Sequence, residues 1–146
     1  MLRLNLFVAT LVAPLVFLQP AFAKPGDTES GVVALHAKAM IQHHAFYNEI
    51  SYSSGDGLNV HEYSDLVQHR IFAMSWSGSH PYPLNQIVDP TLLHAALAQR
   101  HPINHHALTI QVGNTTIESQ VYLRQYFGRA WQAQNTPAGF DARTLP

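Results

Sequence analysis

Apolar and polar positions alternate with the period of a strand twice between residues 58 and 78. In the first run Leu58, Val60, Glu62 and Ser64 fall on one side, and Asn59, His61 and Tyr63 on the other. In the second run Arg70, Phe72, Met74 and Trp76 alternate with Ile71, Ala73, Ser75 and Ser77. Such alternation predicts half-buried strands. The bulk of Phe72, Met74 and Trp76 predicts that their side of the second strand faces a core. Neither side of the first strand is uniformly apolar, and a one-residue slip would exchange its faces. Gly78, Pro81 and Pro83 end the pairing.

The other apolar runs are placed to cover this pair. Ser30 predicts the cap of a short helix running to His44, with Val32, Leu35, Ala39 and Ile41 as its stripe. A strand over 45–52 follows, then a turn of composition SSGDG at 53–57. Leu84, Ile87 and Val88 predict a helical turn. Asp89 and Pro90 then open a helix to Arg100, as cap and first helical residue. Its predicted buried stripe is Leu92, Leu93, Ala96 and Leu97. Leu108, Ile110 and Val112 read as a strand, Gly113-Asn114 as a turn, and 115–122 as the returning arm. Residues 123–131 form an aromatic, strand-like segment, and the tail from Gln132 is irregular, with Pro137 and Gly139. The predicted class is α+β: an antiparallel β-sheet built from two groups of strands, with one or two helices packed on one face. A mostly β sandwich or half-barrel is the alternative. The predicted organisation is a flexible leader at 24–31, a single domain at 32–132 and an irregular tail at 133–146.

Residues 1–23 stand apart. Arg3 is followed by an almost wholly apolar run over 4–18, and Ala21-Phe22-Ala23 supplies small residues at a cleavage point. This is the pattern of a secretory signal peptide cut between Ala23 and Lys24, and it predicts a periplasmic or secreted protein. The run is short of the roughly 20 residues a bilayer span needs. No later apolar segment is expected to cross a membrane. The chain has no cysteine, so packing rather than disulfides must hold it. Formal net charge is −1 and only 12% of residues are charged, which provides no basic field for nucleic acid.

Ten histidines outnumber the eight lysines and arginines together. Imidazole suits zinc, copper or nickel, but a site needs three or four ligands converging on one point. The adjacent pairs His43-His44 and His105-His106 diverge in either regular structure. His94 and His101 are two helical turns, about 10 Å, apart. The local metal candidates are His101, His105 and His106, with His94 behind them; the competing reading makes histidine a surface polar residue. Ser75, Ser77 and Ser79 carry no Gly-x-Ser-x-Gly elbow. Glu49, Glu62 and Glu118 lie in three strand segments and would serve as an acid/base pair only by converging. The aromatic residues read mainly as core. Trp76, Tyr82 and Trp131 are the candidate interaction surface.

Several short segments together resemble a family of small exported proteobacterial proteins of unknown function. They are FYNEI at 46–50, His61-Glu62-Tyr63, IFAMSWSG at 71–78, LNQIV at 84–88, GRAW at 128–131 and Pro137-Ala138-Gly139. The family has Arg where His61 stands and Pro-Asp where Tyr82-Pro83 stands. The resemblance implies an exported, single-domain protein and supplies no catalytic residues. The expected function is a non-enzymatic interaction or binding module for a protein or envelope component. His-mediated binding of zinc, copper or nickel is the alternative, and a small hydrolase is third.

Overall fold

The computed structural model describes residues 24–99 and 106–146. Its centre is one seven-stranded antiparallel sheet. The strands are β1 (Met40–His43), β2 (Tyr47–Ser53), β3 (Leu58–Asp65), β4 (Ile71–Gly78), β5 (Ala107–Val112), β6 (Thr115–Tyr122) and β7 (Gln125–Gln132). Their spatial order is β1-β2-β3-β4-β7-β6-β5. Two meanders, β1 to β4 and β5 to β7, therefore meet along the β4–β7 ladder. The helices are α1 (Glu29–Leu35) and α2 (Pro90–Ala98). This is the α+β class, with strands in two groups.

The helical side carries the larger core. Ile50, Val60, Met74, Trp76, Ile117 and Ala130 lie beneath Val32, Ile87 and Leu93. Asp89 caps α2, accepting from the N–H groups of Thr91 (2.9 Å) and Leu92 (3.1 Å), with Pro90 next. Of the predicted stripe only Leu93 is buried, because α2 touches the sheet along a narrow line; Leu92 and Leu97 face outward. The helix predicted from Ser30 to His44 is short instead. Thr28 caps it, His36 ends it, and residues 40–43 turn into β1. Residues 24–28 are tied to the sheet: Gly26 N–H donates to Ile71 O (2.7 Å), and Ile71 N–H to Asp27 O (2.9 Å).

β4 corrects the reading of alternation. All six residues from Ile71 to Trp76 are buried, because β4 is central and both faces of the sheet are covered. A bulge lies between Tyr63 and Ser64: Tyr63 pairs with Ala73 and Ser64 with Ile71, leaving Phe72 as the extra residue. Phe72 consequently leaves the side of Met74 and Trp76 and joins Tyr63 and Ala73 on the other face. There the C-terminal tail forms a strap. Phe140 stands edge-on to Phe72 (4.8 Å between centroids) and Tyr47 (5.0 Å), and Leu145 packs beside them. β6 and β7 are joined through Leu123 and Arg124, both with positive φ, as a tight hairpin turn requires.

Candidate functional site

The sequence candidates divide between the two faces. Glu62 projects to the helical face, in the row Ile50, Glu62, Met74, Ala130, Ile117 set by the strand register. Glu49 and Glu118 project to the opposite, strap-bearing face, on β2 and β6. The carboxylates do not converge on an acid/base pair.

Glu62 is fully buried. Its Oε1 accepts from the Tyr52 hydroxyl at 2.6 Å, and its Oε2 has no hydrogen-bond partner among the described residues. Burial raises its pKa to about 7; the Tyr52 bond opposes this, and the Asp27 charge adds to it. The His36 ring stacks on Tyr52 (3.6 Å between centroids), and burial lowers its pKa. The Trp76 and Tyr82 rings pack at a tilt, 4.7 Å between centroids, and the Tyr82 phenol is raised by burial and by Glu62. Trp76 and Tyr82, expected on a working surface, are interior at 1% and 4% exposure; they hold the helical layer to the sheet. Trp131 is half-buried beside Phe72 and Ala73 under the strap. This interior cluster presents no open face to a ligand.

The open part of the strap-bearing face is different. Across it the register lines up Ser51, His61, Ser75, Arg129, Glu118 and Thr109 as one polar row. Arg129 lies on Glu118, with Nε and Nη2 at 2.7 and 2.6 Å from Oε2. Its Nη1 donates to the main-chain carbonyls of Arg143 and Leu145 (3.2 Å for the latter), which pins the strap. At the other end His61 Nδ1 lies 2.7 Å from one Glu49 oxygen, and His44 Nε2 lies 3.2 Å from the other. The next row is Ser53, Asn59, Ser77, Phe127, Gln120 and Ala107, which is uncharged and has one aromatic ring. Beside the strap these rows border a groove of about 240 Å³, with Thr109, Glu118, Gln120, Phe127 and Arg129 along its floor and Leu145 and Pro146 at its wall. Among the described residues that line it there is no histidine and no nucleophile paired to a base. Its one carboxylate is neutralised by Arg129.

His94 is exposed on α2 and His106 is exposed before β5; His101 and His105 lie outside the described residues. Among the described residues no three His, Asp or Glu side chains form a group able to hold a metal. Nor is any described helix long and apolar enough to cross a membrane. Sequence reasoning missed Phe127, Gln120 and Asn59 as surface partners. Alternation placed them on strands, but their common row exists only through the β4–β7 ladder, which joins segments about fifty positions apart.

A family model described as a protein of unknown function (DUF2844) matches residues 21–145. No curated protein and no solved structure matches the chain.

Proposed function

We propose that this chain, which belongs to the DUF2844 family of proteins of unknown function, is an exported, non-enzymatic binding module working through the open, strap-bearing face of its sheet. The observation that carries the reading is the groove beside the strap: mixed polar and apolar, close to neutral, and without an activated nucleophile among its described residues. The interior carboxylate Glu62 is sealed beneath the helices, so this strongly perturbed carboxyl is not placed to meet a substrate. The export part rests on the tripartite pattern of residues 1–23.

Two measurements test it. Mass spectrometry of the protein recovered from expressing cells is expected to give a chain beginning at Lys24; retention of Met1 overturns export. Amide spectra of the 24–146 protein, titrated with neutral oligosaccharides, extended peptides and oligonucleotides, are expected to show shifts confined to residues of this face, with none from oligonucleotides. Hydrolysis of an ester or glycoside panel, abolished by a substitution on this face, overturns the non-enzymatic reading.

A further inference from the structure

The ligand class follows from the row Asn59, Ser77, Phe127, Gln120 and the groove it joins. We propose that this surface binds a neutral, polyhydroxylated ligand, a saccharide, laid across the strands; the proposal rests on the binding-face reading above. A hydroxyl group donates and accepts at once, so a ligand made of hydroxyls needs donors and acceptors closely interleaved. Gln120 offers two donors and an acceptor, Ser77 offers both functions, and Asn59, whose Oδ1 already accepts from the Ser53 hydroxyl at 2.6 Å, offers two donors. Strand spacing places these groups at intervals of ~4.8 Å. Where the row meets the groove, the Glu118 carboxylate adds an acceptor, and Arg129 cancels its charge.

Phe127 supplies the second requirement. A sugar ring presents a face of C–H groups as well as hydroxyls, and it stacks on a flat apolar surface. Phe127 is half-buried between Ser77 on β4 and Gln120 on β6, and its ring lines the groove. Anionic ligands are disfavoured: the row holds no cation, and every donor on Arg129 that the structure assigns is engaged by Glu118 or by the strap. An extended peptide is disfavoured because the row lies in the middle of the sheet, where its own ladders use the backbone groups that a peptide would pair with.

The test uses the 24–146 protein and amide spectra, with linear oligomers of glucose and of N-acetylglucosamine as probes up to about 10 mM, above the ~1 mM range of weak binding. Shifts are expected at Asn59, Ser77, Gln120 and Phe127. Phe127→Ala and Gln120→Ala should each weaken binding at least about tenfold while the spectrum remains folded. Thr91→Ala, on the helical side, should leave it unchanged. A row moved by an extended peptide but by neither sugar overturns the saccharide assignment and leaves the binding face standing. A row moved by no probe overturns both. Sugar-induced shifts that persist in both variants place the ligand elsewhere and also overturn the proposal.

Discussion

Gly128 lies directly across the β4–β7 ladder from Trp76, and the indole occupies the space where a side chain at 128 would begin. A Cβ built there overlaps two ring carbons and comes within 2.7 Å of the indole Nε1. Gly128→Ala should therefore destabilise the 24–146 protein by about 2–3 kcal/mol through overpacking. Trp76→Leu combined with Gly128→Ala should cost less than the two changes summed, since the smaller side chain frees the space. Urea unfolding checks both, and additive costs would refute the packing relationship.

Glu62 makes stability fall as pH rises. Its folded-state pKa, about 7, lies above the ordinary 4.5, so the stability present in acid is lost across that window and levels off once the buried group has ionised. The shift corresponds to about 3 kcal/mol. Glu29 acts in the opposite sense. Burial pushes its carboxyl up, but hydrogen bonds from Asn48, Ser64 and His69 outweigh this and hold it below its usual value. Its contribution is lost as pH falls through that lowered pKa. His36, held below its usual value by burial, also contributes stability that is lost as pH falls, so Glu62→Gln should remove the decline that wild type shows toward pH 8. Chemical unfolding at several pH values measures it; a wild-type curve flat from pH 5 to 8 would refute the assignment.

The strap depends on Phe140. Its contacts with Phe72, Tyr47 and Tyr63 are mostly edge-on, and Arg129 reinforces them from the next row. Phe140→Ala should cost about 2 kcal/mol, below the range for a fully buried Phe because the residue is only partly buried. Limited proteolysis should then cut within residues 133–146 while the sheet survives. Unchanged resistance of the tail would show that other contacts hold it.

β1 is a bare edge. All four of its residues are exposed, Met40 at 70% and Ile41 at 39%, and it carries no Lys, Pro or bulge. Met40→Lys should reduce light scattering during heating without lowering the unfolding free energy by more than about 0.5 kcal/mol. Equal scattering from both proteins would place the self-association elsewhere.

Much of this arrangement was legible in the residues themselves. Local turn chemistry marked the turn at 53–57 and the Gly113-Asn114 hairpin, and Asp89-Pro90 marked the start of α2. Three features were not legible, each because a distant partner decided it. The bulge that swings Phe72 to the other face is set by pairing with β3. β1 was hidden inside an apolar stripe whose spacing also suits a helix. The polar rows of the open face, with Phe127 and Gln120, exist only once β7 has docked on β4. The buried Glu62 could be placed on a side of its strand but not assigned a depth, since alternation is silent on what covers a face.

The spatial order of the strands also bears on how the chain reaches its native state. Each meander can form from neighbours in sequence, but the β4–β7 ladder joins segments separated by a helix and two further strands. Closing that seam is the slow, non-local step, because the loop entropy must be lost before the contacts form. Until then β4, the most deeply buried strand of the finished sheet, is an unprotected edge. A newly made chain is consequently at its most adhesive with both halves complete and unjoined, and the fit of Trp76 over Gly128 is the contact that ends that exposure.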